Sequence, residues 1–276
     1  MGVARDFDGS RVLLTGGGSG IGRALAVRLA TRGARLVLVG RREEQLRSAA
    51  QSVEAQGATV TCLAADLTMT GQPERAVGDA VAAMGGLDVL VNNAGNVSAG
   101  NLDEIAIDDI VAMVQLNLVA PILLTRAALP ALRESGRRGG ALVVGVSSGI
   151  ALVGMPYYAT YAATKAGLSR FDEALRRELI GTGVSVATVY PGATETPMMA
   201  TSHAGPDLGF QRRPVSDVVD DIVMALEAGK VEIDTSQGAD RHARQELNKR
   251  DPEAVDAELA PKLAALHEAT RTHRSM

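Results

Sequence analysis

The stretch Arg11–Ala30, RVLLTGGGSGIGRALAVRLA, decides how this chain folds. It opens with a short apolar run of strand length and closes with an Ala- and Leu-rich segment that reads as a helix from about Gly20. Glycines crowd the junction, within Thr15-Gly16-Gly17-Gly18-Ser19-Gly20-Ile21-Gly22. A glycine-rich turn between strand and helix brings backbone amides to an anion at a helix N-terminus, the context a dinucleotide pyrophosphate requires. Gly16, Gly18, Ser19, Gly20, Ile21 and Gly22 are therefore candidate cofactor contacts; the alternative is a structural turn with no ligand.

Beyond this stretch, short apolar runs alternate with longer amphipathic segments, as in repeated βαβ units. Strands are expected near 11–15, 35–39, 59–64, 87–91, 141–146, 184–190 and 231–234. The fold class is α/β: a Rossmann-like, doubly wound parallel sheet of about seven strands flanked by helices, spanning residues 1–238. The apolar segment from about 103 to 134 contains Pro121 and Pro130, which remove backbone donors and predict two helical pieces or one bent helix. Between Thr194 and Pro214 periodicity is lost, and a loop of that length in a compact domain reads as a lid. From 239 to 276 the chain is polar and charged. A helix start at Asp251-Pro252, a break at Pro261 and an apolar stripe of Leu259, Leu263 and Leu266 predict a helical C-terminal extension that packs on the body or a neighbouring subunit.

Composition narrows the function classes. The 276 residues are 46% hydrophobic and 22% charged with a net charge of −4, which supplies a core and argues against nucleic acid. Cys62 is the single cysteine, which fits a reducing compartment, and it reads as core packing. No signal-like N-terminus and no membrane span is expected, so the expected location is cytoplasmic. No cluster suggests a metal.

The chemistry is carried by Ser148, Tyr161 and Lys165. Tyr161 and Lys165 are four residues apart, one turn along a helix face, so the ammonium can approach the phenol. A nearby cation lowers an acid's pKa by roughly 1 to 3 units, which would make Tyr161 a general acid/base. Which dinucleotide the chain prefers is read at the end of the second strand. An acidic residue there would hold the ribose hydroxyls of NAD, whereas Gly40-Arg41-Arg42 offers guanidinium groups suited to a 2′-phosphate. Arg41 and Arg42 thus predict NADP(H) in preference to NAD(H).

Together these pieces resemble the short-chain dehydrogenase/reductase family, in its single-domain subfamily, over residues 10 to about 235. The resemblance implies that Asp66 and Leu67 contact the adenine, and that Asn93, Ala94 and Gly95, within Asn92-Asn93-Ala94-Gly95, form a turn that stabilises the sheet beside the cofactor. It further implies that Asn117, Ser148, Tyr161 and Lys165 form the catalytic tetrad, and that Pro191, Gly192, Thr194 and Thr196 hold the nicotinamide. Ser148 would bind the substrate oxygen, Lys165 the nicotinamide ribose, and Asn117 a water linking Lys165 to solvent. The activity implied is hydride transfer between nicotinamide and a secondary alcohol or ketone.

Tyr157, Tyr158, Met198, Met199 and Phe210 are candidate substrate-lining residues, and they suggest an apolar carbonyl or alcohol substrate. Tyr157 and Tyr158 suit subunit packing equally well. The charged tail departs from the family's β-ketoacyl-carrier-protein reductases, so a 3-oxoacyl thioester reductase is the alternative substrate class. The enoyl reductases use a different Tyr-to-Lys spacing, and the epimerases a different glycine loop. A non-catalytic NADP(H)-binding sensor or scaffold is the competing reading, which the intact Ser148, Tyr161, Lys165 set disfavours. The helices of 103–134 and 157–181 resemble the family's dimerisation surface, which predicts a homodimer or homotetramer.

Overall fold

A computed structural model describes residues 5–236 and 239–275. Seven parallel strands form one sheet: β1 (Arg11–Thr15), β2 (Arg35–Gly40), β3 (Val60–Ala64), β4 (Val89–Asn92), β6 (Ala141–Val146), β7 (Val184–Tyr190) and β8 (Glu232–Asp234). Their order is β3-β2-β1-β4-β6-β7-β8. The order reverses direction between β1 and β4, and ligands of such sheets bind outside the strand ends at that switch. A separate two-residue strand, β5 (Val97–Ser98), follows the end of β4.

Alternating residues of each strand feed the two faces, as the twofold strand period requires. Val12, Leu14, Leu36, Leu38, Val89 and Val91 pack beneath α1 (Gly20–Ala30), α2 (Glu43–Glu54) and α7 (Val215–Glu227). Leu13, Val37, Leu90 and Val143 pack against α3 (Gln72–Met84), α5 (Ala120–Gly136) and α6 (Ala159–Glu178). Burial on both faces is why the strands read as apolar runs rather than as alternating ones. Cys62, on the edge strand β3, is only partly buried, and its thiol donates to the Leu46 carbonyl.

The apolar helical segment is continuous, but not uniform. After α4 (Ile107–Val114) comes a π-helical turn at Gln115–Val119, and α5 follows without a break. The cause is Pro121, which has no N–H to offer the Asn117 carbonyl four residues earlier. Pro130 sits inside α5 without ending it. Contrary to the expectation from sequence, the joined helix Ile107–Gly136 is long and apolar enough to cross a membrane by length and composition. Leu124, Ala128 and Leu132 account for part of that character, since they are buried in the core beneath the sheet.

The extension forms α8 (Ala239–Arg250), α9 (Pro252–Leu259) and α10 (Leu263–Thr270), with a 3₁₀ turn at Ala260–Lys262 where Pro261 breaks the run. Asp251 caps α9 by accepting from the Ala254 N–H. Leu259 and Leu266 are buried as expected, but Leu263 is 40% exposed: the stripe bends with the chain at Pro261. A last strand, β9 (Arg274–Ser275), pairs antiparallel with β5.

One ion pair fastens the lower edge of the sheet. Asp88 accepts from the Arg11 guanidinium at 2.7 and 2.8 Å and from the Arg11 backbone N–H at 2.9 Å. Burial alone would raise its pKa; the Arg11 and Ser135 hydrogen bonds outweigh that and hold it at about 2. A depressed carboxylate contributes stability that is complete above its unfolded value near 4 and is lost as pH falls towards 2. Asp88→Asn should cost about 2 kcal/mol in urea unfolding at pH 7. The difference from wild type should shrink below pH 4.

Candidate active site

The site is assembled where the chain leaves β1, β4, β6 and β7. Thr15 ends β1, and its hydroxyl donates to the Val91 carbonyl at 3.2 Å while accepting from the backbone N–H groups of Asn93 and Ala94, each at 3.0 Å. The Asn93 amide returns the contact by donating to the Thr15 carbonyl at 2.9 Å. The glycine turn is thereby fixed against the Asn-Asn-Ala-Gly turn. The fit is so close that a methyl group on Gly22 would lie 2.2 Å from the Gly16 carbonyl oxygen. Gly16 itself adopts φ +69, a left-handed conformation that favours glycine.

A cavity of about 580 Å³ opens above this turn. Gly16, Gly18, Ser19, Gly20, Ile21 and Gly22 line it, together with Arg41, Arg42, Leu67, Asn93, Ala94, Gly95, Pro191, Gly192, Thr194 and Thr196. Ser148, Tyr161 and Lys165 line the same cavity. Of the expected cofactor residues, Asp66 is the exception. Its carboxylate accepts from the Thr68 hydroxyl at 2.7 Å and the Thr68 N–H at 3.0 Å, so it shapes the loop carrying Leu67 and does not line the cavity.

Asn117 stands behind the site. Its side chain is fully buried, accepts from the Asn96 N–H at 2.9 Å, and donates to the Asn96 carbonyl at 2.9 Å and the Thr164 hydroxyl at 3.2 Å. These contacts tie the π turn to the segment after β4 and to α6, the helix of Tyr161 and Lys165. The amide is occupied, so any water would have to be held by the Asn117 main chain, whose carbonyl Pro121 leaves without the usual helical partner.

Lys165 is buried and donates to the Val146 carbonyl at 2.9 Å, while its Nζ lies 5.9 Å from the centre of the Tyr161 ring. Burial lowers its pKa, and Asp172 works in the opposite direction. Asp172, two turns along α6, is itself buried; desolvation raises its pKa against a hydrogen bond from Thr188 at 3.1 Å. The phenol of Tyr161 does not follow the expectation of an acidified group. Burial pushes its pKa up to about 12, with only the Ser148 hydroxyl opposing the rise. Desolvation therefore dominates in this structure, and Tyr161 is protonated at neutral pH.

The far wall is apolar. Val97, Ile150, Met155, Tyr158, Met198 and Phe210 cluster beside Tyr161, and the Tyr158 ring centre is 6.4 Å from that of Tyr161 and 5.9 Å from that of Phe210. Met199 also lines the cavity. Tyr157 does not: its ring faces α10, where its hydroxyl donates to the Leu263 carbonyl at 3.0 Å and its ring packs on His267. Its φ of +70 turns it outward while Tyr158 turns in.

The lid is pinched shut at its base, where Thr194 bridges Arg213, and its body rests on the extension. Ala204 and Leu208 pack on Leu266 and Ala269, and His203 donates its N–H to the Ala269 carbonyl at 2.8 Å. His273 closes the wall from the extension side. Its Nδ1 is 2.7 Å from the Tyr158 hydroxyl, and burial drops its pKa to about 4, so the ring is neutral. Sequence reasoning missed His273, Arg244 and Lys262 as cavity residues, and no spacing in the tail could have marked them.

A family model described as short chain dehydrogenase matches residues 10–207. The chain belongs to the short-chain dehydrogenase family. It is 39% identical over 200 residues to a short chain dehydrogenase of Pseudocercospora fijiensis, a match covering 72% of this chain and 64% of that protein. It is 33% identical over 231 residues to the ketoacyl reductase HetN of Nostoc sp., covering 83% and 79%. Among solved structures, a short chain dehydrogenase of Burkholderia cenocepacia in complex with NADP superposes with a TM-score of 0.77 at 31% identity, covering 86% of this chain and all of that one. A short-chain dehydrogenase/reductase of Burkholderia phymatum in complex with NAD gives 0.80 at 25% identity, covering 91% and 96%. The protein is thus an oxidoreductase of this family, and the two solved relatives hold a nicotinamide dinucleotide.

The residues present fit that group, since bare glycine backbone lines the cavity where a Cβ would intrude. Gly22→Ala should lower stability by about 1 to 3 kcal/mol through overpacking. It should also weaken binding of the nicotinamide cofactor, read by thermal melts with and without cofactor.

Proposed function

We propose that this protein is an NADP(H)-dependent oxidoreductase interconverting a secondary alcohol and its ketone, with Tyr161 as general acid/base. The observation that carries the reading is the convergence of Ser148, Tyr161 and Lys165 with the glycine turn on one cavity. The nicotinamide supplies or accepts a hydride when bound, and the protein's part is position and proton. In the reducing direction the Tyr161 hydroxyl, protonated at neutral pH, gives its proton to the carbonyl oxygen as that oxygen gains charge. Ser148 shares the same oxygen by a hydrogen bond. Lys165 holds positive charge behind the phenol, which favours the phenolate left after transfer.

Support for NADP(H) comes from Arg41 and Arg42. Both are exposed and line the cavity, and Glu43, the nearest carboxylate in sequence, is bound by Arg47. The apolar wall supports a substrate with an apolar body. A 3-oxoacyl thioester is the second reading, favoured by the ketoacyl reductase relative. The exposed Ile107 and Val111 on α4 support a homo-oligomer, and we place the enzyme in the cytoplasm.

The test is consumption of NADPH and NADH against a panel of apolar aldehydes, ketones and diketones. Tyr161→Phe should lower turnover at least about 100-fold while cofactor binding persists. Equal rates in the two proteins would remove Tyr161 from the mechanism. An Arg41→Ala, Arg42→Ala variant should lose its preference for NADPH over NADH. With the Tyr161 pKa at about 12, the phenol stays protonated and ketone reduction should lose nothing to its titration from pH 7 to 10, while alcohol oxidation, which needs the phenolate, should quicken over the same range.

A further inference from the structure

Six cationic side chains line the cavity, and among the described residues no carboxylate does. Four of the six have evident work. Arg41 and Arg42 are assigned to the cofactor by the reading above, and Lys165 donates to the Val146 carbonyl. Arg213 donates to the Thr235 carbonyl and pairs with Asp221 at 2.8 Å. The other two, Arg244 of α8 and Lys262 at the start of α10, both come from the C-terminal extension.

Arg244 is paired only loosely. The Arg244 Nε is buried with no hydrogen-bond partner, and its nearest carboxylate, Glu258, stands 3.6 Å away and is half exposed. Lys262 pairs with no carboxylate among the described residues. Both line the cavity, and Arg244 lies against Gly209 of the lid, where an added methyl would be 3.6 Å from its Nη1. The apolar residues Val97, Ile150, Met155, Tyr158 and Phe210 line the same cavity. A loosely paired guanidinium and an unpaired ammonium in a cavity lined by no carboxylate among the described residues raise the local potential, and an anion relieves that cost.

We infer that the substrate carries an anionic group, a carboxylate or phosphate, remote from its reacting carbonyl, and that Arg244 and Lys262 bind it. The inference rests on the oxidoreductase reading above and specifies its substrate class: an apolar body with a carbonyl at one end and a negative charge at the other. A guanidinium fork and an ammonium together suit an oxyanion through charge-assisted hydrogen bonds.

The experiment has a binding arm and a turnover arm. Calorimetry on the enzyme saturated with NADPH would compare octanoate and octyl phosphate with octan-1-ol, in wild type, in Arg244→Gln/Lys262→Gln and in the charge-conserving Arg244→Lys/Lys262→Arg. Wild type should favour an anion over the alcohol by about tenfold or more at low salt, with selectivity falling as salt is added. The glutamine variant should lose that selectivity and the charge-conserving one should keep most of it. Whichever of octanoate and octyl phosphate binds better names the anion.

In turnover, straight-chain oxo acids should show lower KM than their methyl esters, and the difference should vanish in the glutamine variant. Equal binding of anions and alcohol by wild type would overturn the inference, as would selectivity unchanged in the glutamine variant. So would a loss of NADPH affinity in that variant matching its loss of anion affinity, for the cations would then serve the cofactor. Selective anion binding with no turnover of any carbonyl compound would uphold the anion site and count against the oxidoreductase reading instead.

Discussion

The hydroxyl of Thr15 makes three hydrogen bonds across the ends of β1 and β4, and the site is built on that crossing. A parallel sheet leaves its strand ends as separate loops, free to move apart. Here one side chain binds the glycine turn to the segment after β4, and Asn93 closes the contact from the other side. Asn96, three residues later, holds Asn117, and Asn117 holds Thr164 on the helix that bears Tyr161 and Lys165. The glycine turn and the helix of Tyr161 and Lys165 are therefore linked through buried hydrogen bonds. Such networks confer rigidity only when their members are satisfied.

The interior beside that chain has an unusual electrostatic makeup. Lys165 and Asp172 lie on one helix, both buried, and burial drives each towards its neutral form. The Asp172 carboxyl fits against Gly145, where a side-chain carbon would lie 1.9 Å from its Oδ2. A bare glycine in the middle of β6 is what allows a carboxyl beneath the sheet. Lys165 thus has an acid on its inner side and an open cavity on its outer side. Its charge responds to both, and so does the phenol, whose proton is held by burial.

The strands, the glycine turn and the meeting of Ser148, Tyr161 and Lys165 at one cavity were legible because each has a local signal: apolar runs, glycines at a strand-to-helix junction, and fixed spacings. The π turn was half legible. Pro121 announced a disturbance, but the outcome, a helix widened around Asn117 rather than broken, depends on α5 and α6 packing beneath the sheet. Asp66 and Tyr157 escaped because a residue's place in a motif does not fix where its side chain turns. Thr68 captured the first, and α10 drew the second away from the cavity. The tail's part in the site was not legible, since His273 meets Tyr158 across 115 positions, and contacts that remote leave no periodicity.

The pairing of β9 with β5 joins segments about 178 residues apart, through only two residues on each side. Contacts of that separation close a long loop, and their entropic cost is met only after the sheet between them exists. The cavity wall is then among the last parts of the molecule to form, and a ladder so short is among the first to open. The sheet and glycine turn can stand complete while the substrate end is still unmade. Folding to a stable core and becoming competent to select a substrate are, in this architecture, two separate events.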